Sequence, residues 1–368
     1  MPSLVSNAEA APSTKGRDKS GPQISFTIKP VPGEDIPDFC RRLAARLHEH
    51  AATPLHLLGF GDARAGTAAL EALRKESGRV DWPVTWAEGA ACDGGLIAGV
   101  HVQAFTGGVE RITLGGRAVG SVFTDGGARQ CLIGGLTPAD KTISRAGQTS
   151  QVLEELQQVL AQAGFDLADI VRTWFFLENI LAWYEDFNRA RTEIYSGVKF
   201  HTGSLPASTG VGAKNPEGAA LALAAWAFRP LEKNSRATEV ASPLQCPAPA
   251  YGSSFSRALE ISTNTGRRLS ISGTASIAPG GKTLWAGDVR KQIGLTMDVV
   301  EAILRSRGLS FAGITRATAY FRHAGDAGIF AEWLAANQLA GLPVVSAQCD
   351  VCRDDLLFEL EAEAEQKN

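Results

Sequence analysis

The sequence predicts an α+β fold in which one unit is used twice, and three observations carry that prediction. Residues 148–177 align with 292–321 at a constant shift of 144. Leu153 falls on Met297, Leu156 on Val300, Leu160 on Leu304, Gly164 on Gly308 and Arg172 on Arg316. Further on, residues 219–225 (AALALAA) match 356–362 (LLFELEA), so that Ala222 and Ala224 correspond to Glu359 and Glu361. Within each copy, strand-like and helix-like periodicities alternate as ββαβαββ, the pattern of a sheet covered on one face by helices. Internal repetition is the strongest guide to architecture. Here it also marks the place where the copies differ in chemistry, because only the second carries the acids.

The elements follow in order. Residues 34–50 form an amphipathic pattern with Phe39, Leu43 and Leu47 on one face. A strand over 54–60, a helix over 65–75 and extended segments over 81–90 and 96–105 complete an N-terminal region that could be a decayed third relative of the repeat but does not align with it. The first copy has a strand at 128–137, a helix at 148–163 stopped by Gly164, a strand at 170–177 and a helix at 183–195. In that last helix Phe187, Ala190, Arg191 and Ile194 fall at helical spacing. A Gly/Pro/Ser-rich loop, 203–218, leads to the strand AALALAAWAF. The polar, proline-rich stretch 230–250 reads as a linker. The second copy has strands at 255–261 and 267–275, helices at 290–307 and 327–339, a strand at 314–321 and a hairpin around Arg353–Asp355.

The expected division is a disordered lead over 1–22, a divergent α/β region over 23–112, a first module over 113–229, a linker over 230–250 and a second module over 251–368. The 368 residues are 44% hydrophobic and 20% charged, with a net charge of −3. This is a globular composition without the basic excess of a nucleic-acid binder. No apolar run reaches membrane-spanning length and the N-terminus has no apolar signal core, so a cytoplasmic protein is expected. The six cysteines are scattered. Cys349 and Cys352 form a CxxC, but no second pair completes a metal set, and an offset of three on a strand puts the thiols on opposite faces. His48 and His50 are expected at the surface.

The unit resembles the RidA/YjgF-like (chorismate-mutase-like) fold, whose members are trimers with ligand sites between subunits. The resemblance rests on YGSSFSRALEI…RLSISGTASIAPGGKT and on DVC followed by LLFELEAEA. From about residue 54 onward the chain is more specifically similar to the chorismatases, through WPVTWAEGAACDG, LPASTGVGAKNPEGAA, YGSSFSRALEIS, ISGTASI and DVCRDDLLFELE. That resemblance implies an internal pseudo-trimer and chorismate as the small-molecule substrate. Acid catalysis and charge placement then need no metal or organic cofactor, internal duplication is expected to make the protein a monomer, and the charge and apolar pattern lead one to expect no nucleic-acid or membrane partner.

Cutting the enolpyruvyl ether of chorismate needs a proton delivered to the vinyl methylene carbon. The donor must be a carboxylic acid kept partly neutral near pH 7 by an apolar setting. Glu359 is the candidate general acid, a position the resemblance also implies, with Glu361 in support. The opposing reading makes both the solvated face of an edge strand. Arg257 and Tyr251 are candidate partners for the substrate carboxylates, and Ser208 and Thr209 of the ASTG segment could offer donors from the first copy. Asn188 is a weaker candidate, more simply a surface residue. Gly273 and Ala275 are expected along the same pocket. In the resembled family a cysteine seven residues before the acid accompanies 3-hydroxybenzoate formation, and Cys352 has that spacing. An ordinary buried cysteine is the alternative. The expected reaction is therefore release of pyruvate and 3-hydroxybenzoate, and three other functions remain open: hydrolysis of chorismate to pyruvate and a dihydroxycyclohexadiene carboxylate, an imine deaminase and a non-catalytic binding protein. The deaminase pattern wants an arginine after a proline, whereas Pro343 and Pro206 are followed by Val344 and Ala207.

Overall fold

The structure, a computed structural model, describes residues 22–368. The expected disordered lead lies outside the described residues except for Pro22. Three sheets succeed one another along the chain. The N-terminal unit contains β1 (Gln23–Ile28), α1 (Ile36–Glu49), β2 (Thr53–Gly61), α2 (Ala63–Ser77), β3 (Val84–Ala87), the short β4 (Ala90–Ala91) and β5 (Ile97–Phe105). The first module contains β6 (Glu110–Leu114), β7 (Arg117–Asp125), β8 (Ala128–Leu136), α3 (Arg145–Gln162), β9 (Ile170–Leu177), α4 (Tyr184–Ser196), β10 (Ala207–Val211) and β11 (Leu221–Pro230). The second contains β12 (Arg236–Val240), β13 (Ala258–Thr263), β14 (Gly266–Ala275), α5 (Val289–Ser306), β15 (Ile314–Phe321), α6 (Ala327–Ala336), β16 (Val344–Gln348) and β17 (Phe358–Lys367). Among the described residues no helix is long and apolar enough to cross a membrane.

The repeat extends to local detail. Ser144 caps α3 through the amide of Gly147 at 3.1 Å, and Asp288, 144 residues later, caps α5 through the amide of Lys291 at 3.0 Å. Gly164 and Gly308 follow the two helices with φ of 73° and 69°, a left-handed conformation that glycine adopts without strain. Leu153, Leu156 and Leu160 of α3 are fully buried against their sheet, as Met297, Val300 and Leu304 of α5 are against theirs. Truncating any of these to alanine costs roughly 2–5 kcal/mol.

The strand orders show that the N-terminal unit is a third copy. The first module runs β10-β9-β11-β8, the second β16-β15-β17-β14 and the N-terminal unit β3-β2-β5-β1. In each, the first two strands are parallel and the rest antiparallel. The inner faces of the three sheets meet in one core, where the Phe60 ring lies 5.8 Å from that of Phe176 and 5.9 Å from that of Tyr320. These three rings hold the same position in β2, β9 and β15. Their cross-strand partners are Gly99, Ala222 and Glu359.

Four expectations need correction. The loop 203–218 contains β10, and all but Gly210 of that strand is buried. Its small residues hide it, because a strand pressed between two modules needs no bulky alternation. The linker 230–250 contains β12, an edge strand on β13 whose exposed Arg236, Thr238 and Glu239 give it a polar composition. The N-terminal unit opens with a strand, β1, ahead of its helix. No hairpin forms around Arg353–Asp355, since β15 lies between β16 and β17.

Candidate active site

Glu359 lies on β17, whose side chains alternate strictly. Phe358, Leu360 and Ala362 face the helices, while Glu359, Glu361 and Glu363 face the interior and are only 5%, 2% and 1% exposed. Because β17 is hydrogen-bonded to β14 on one side and β15 on the other, the solvated-edge reading fails.

Buried carboxylates are costly unless paired, and two of these are paired. Glu363 accepts from Arg316 at 2.9 Å and Gln103 at 3.2 Å. Glu361 accepts from Arg172 at 2.6 Å, from the Thr209 hydroxyl at 2.5 Å and from Thr318 at 3.2 Å. Glu359 has no ion pair among the described residues. Burial, followed by the nearby charge of Glu361, pushes its carboxyl up to about 8, against the smaller downward pull of Arg172 and Arg257. At neutral pH it is therefore mainly a neutral acid with a proton to give.

Its setting is a narrow cleft between the modules, with a cavity of about 40 Å³. The first module contributes Tyr184 and Arg191 from α4 and Ser208 and Gly210 from β10. The second contributes Tyr251, Arg257, Gly273, Ala275, Cys352 and Glu359. A bulge in β14 between Ile271 and Thr274 sets the wall beside the acid. There the Gly273 amide donates to the Thr209 hydroxyl at 3.0 Å, and a Cβ at Gly273 would overlap the Glu359 carboxylate.

Arg257 is 3% exposed. Its Nε donates to the Cys246 carbonyl at 3.0 Å, its guanidinium lies over the rings of Tyr251 and Phe255, and its buried Nη2 has no partner among the described residues. Tyr251 lines the cleft mouth, and burial raises its phenol above the ordinary value. The Ser208 hydroxyl accepts from Thr173 at 2.9 Å and Arg191 at 3.4 Å, so its own proton is free to point elsewhere. Burial, then the Glu359 charge, pushes the Cys352 thiol up to about 12, leaving a neutral wall rather than a thiolate. Thr209 and Glu361 do not line the cleft. They stand behind its wall, tied to each other and to Arg172.

Three arginines thus bound the cleft, and the sequence reading had singled out only Arg257. Arg191 is 2% exposed, lies over Phe187 at 4.9 Å and donates to Asn188 at 2.7 Å. Asn188 therefore orients a cleft arginine. A cation on the apolar stripe of the 183–195 helix was the available signal. Arg353 donates to the Gly281 carbonyl at 2.7 Å and lies over Tyr251. Such a rim suits a compact dianion, with one neutral acid at the bottom to protonate it.

No metal set forms here. Cys349 is buried in the core shared by the three sheets while Cys352 lines the cleft. Elsewhere, donor atoms of Asp166, Asp169 and His201 lie within 4.8 Å of one another, but Arg229 already binds both Asp169 oxygens.

Residues 131–221 match the domain family described as Endoribonuclease L-PSP. Over 224 residues the chain is 26% identical to the 3-hydroxybenzoate synthase of Streptomyces hygroscopicus, a match covering 54% of this chain and 64% of that relative. A crystal structure of a chorismatase, 20% identical, superposes with a TM-score of 0.66 over 94% of this chain and 98% of that one. With its repeated modules closed around one core, the chain has the RidA/YjgF-like fold and shares the overall fold of that chorismatase.

Proposed function

We propose that the cleft binds chorismate and releases pyruvate from it, with 3-hydroxybenzoate as the ring product. Glu359 protonates the vinyl methylene carbon of the enolpyruvyl ether. The resulting oxocarbenium-like centre weakens the bond between the ring carbon and the ether oxygen. The neighbouring ring hydroxyl attacks that carbon, the bond breaks, and its electron pair leaves with pyruvate. Loss of the ring proton from the arene-oxide-like intermediate, with opening of the strained ring, gives 3-hydroxybenzoate. The proton lent at the start is recovered at the end, so no cofactor is needed. Arg257 and Arg191 hold the carboxylates, Ser208 and Tyr251 offer hydroxyl donors, and Cys352 lines the wall where water would otherwise attack. Glu361 and Thr209 support the acid from behind.

The observation that carries this reading is a buried carboxylic acid, held neutral to about pH 8, beside an arginine with an unpartnered Nη2. The runner-up is hydrolysis to a dihydroxycyclohexadiene carboxylate, favoured by the small Gly273 and Ala275 on the wall, which leave room for water. An imine deaminase is disfavoured because Val344 and Ala207 follow the two prolines. We also propose a cytoplasmic monomer, since three units of one chain close the core that separate subunits would otherwise close.

Incubating the purified protein with chorismate and separating the products decides the matter. Pyruvate with 3-hydroxybenzoate is expected, accompanied by some 4-hydroxybenzoate if ring opening is imperfect. Pyruvate with the diol selects the hydrolytic branch. Tight binding without turnover would make the protein a carrier.

A further inference from the structure

The threefold relation gives the candidate active site a twin between the N-terminal unit and the first module. In it β3 stands for β10, β8 for β14, β11 for β17 and α2 for α4. The match reaches single bonds. The Gly135 amide donates to the Thr85 hydroxyl at 2.9 Å, as the Gly273 amide does to Thr209 at 3.0 Å. Thr85 then meets His56 at 2.9 Å, where Thr209 meets Arg172 at 2.7 Å. By cross-strand register Ala222 takes the place of Glu359, and Ala224 that of Glu361. Burial drives the His56 imidazole down to about 3, so it is neutral. The twin has lost its acid and its ion pair together, and it cannot perform the same protonation.

It has nevertheless stayed open. The third interface shows what happens to an unused cleft: Gly99 packs so close to Val345 that an added Cβ would lie 2.7 Å from its Cγ2. The twin instead forms a cleft with a cavity of about 530 Å³. Leu70, Val84 and Val119 and the rings of Trp82 and Trp86 line it, and the Trp82 indole N–H is buried with no partner among the described residues. Arg74, Arg111 and Arg117 are set against two acids, Asp81 and Glu217. The Arg111 side chain is only 18% exposed, and its nearest acid, Asp81, is 4.0 Å away. A partly desolvated guanidinium without a close counter-ion suits a ligand carboxylate.

We propose that this twin cleft is a second ligand site, taking a small aromatic carboxylate with its carboxylate on Arg111 and its ring among the tryptophans. The inference does not depend on chorismate being the substrate of the first cleft.

The test is calorimetric titration of the full chain with benzoate. At least one binding equivalent should persist in Glu359→Gln and weaken about tenfold or more in Arg111→Met, the loss expected for a charged hydrogen bond. Arg111 also donates to Ser121 at 2.5 Å, so Arg111→Met could disturb folding. Ala118→Phe, which fills the cleft from its half-buried wall, is the second variant and should abolish the same equivalent. Both variants should keep the activity of the other cleft. Absence of any benzoate binding, or an equivalent that survives both substitutions, overturns the proposal.

Discussion

Gly273 leaves the space that the Glu359 carboxylate occupies. The two residues face each other across β14 and β17, and a methyl group at 273 would overlap Oε1 of the acid. The backbone at Gly273 does not require glycine, since its φ is not in the left-handed region. Glycine stands there because of the neighbour. Gly273→Ala should fold, turn the carboxylate away from its working position and lower kcat about 100-fold, the scale of an ångström-sized misplacement. Steady-state assay with chorismate checks this. Wild-type turnover in Gly273→Ala would show that the acid does not act from this position.

In the proposed reaction Glu359 acts as an acid only while protonated. With its carboxyl at about 8, log kcat/KM should be flat through neutrality and then fall tenfold per pH unit above about 8. The same burial has a stability cost of defined sign. A carboxyl that titrates near 4.5 when unfolded and near 8 when folded binds its proton more tightly in the native state. The native state is therefore penalised progressively as pH rises from 4.5 toward 8. Glu359→Gln should abolish turnover yet be more stable than wild type at pH 7.5, by roughly 1–3 kcal/mol, and so melt at a higher temperature. Thermal melts at pH 4.5 and 7.5 should show the gain only at the higher pH.

Much of this was legible in the residues, for identifiable reasons. The 144-residue shift survives in Leu153, Leu156 and Leu160 because helix-on-sheet packing constrains side-chain size. Glu359 was singled out through its mismatch with Ala222 and through the family resemblance. The N-terminal copy could be raised as a decayed relative of the repeat but not aligned, since its likeness lies in strand order and parallel pairing, and backbone topology tolerates almost any buried sequence. β10 was missed because a strand buried on both faces by close neighbours carries only small residues. Arg191 was visible as a cation on an apolar stripe but not interpretable until α4 was seen to border the cleft.

The Arg172–Glu361 pair and its twin form a natural mutational cycle. Removing one member leaves an uncompensated buried charge, which costs roughly 3–5 kcal/mol. The twin cleft shows a folded solution with neither charge, His56 standing for Arg172 and Ala224 for Glu361. Arg172→His and Glu361→Ala should each destabilise severely, whereas the double variant should recover most of the loss. Urea unfolding of the four proteins measures the coupling. Additive losses would mean that the pair is not the unit exchanged between the clefts. In the double variant one charge that raises Glu359 and one that lowers it disappear together. The alkaline limb of its pH profile should therefore move less than in Glu361→Ala, where the unopposed arginine pulls the limb downward.

Cys352 offers a test of how the ring product is chosen. Its thiol stays neutral, so it acts either as an apolar wall that excludes water or as a hydrogen-bonding partner of the substrate. Cys352→Ala keeps the wall apolar and removes the S–H. Cys352→Ser keeps a donor and adds a strong site for water. If exclusion of water directs the ring hydroxyl to attack, the alanine variant retains 3-hydroxybenzoate as its main product while the serine variant turns toward the diol. If the S–H itself holds the ring, alanine loses the aromatic product and serine keeps part of it. Product ratios from the two variants at equal conversion separate these outcomes. Unchanged ratios in both would remove Cys352 from the selection of product.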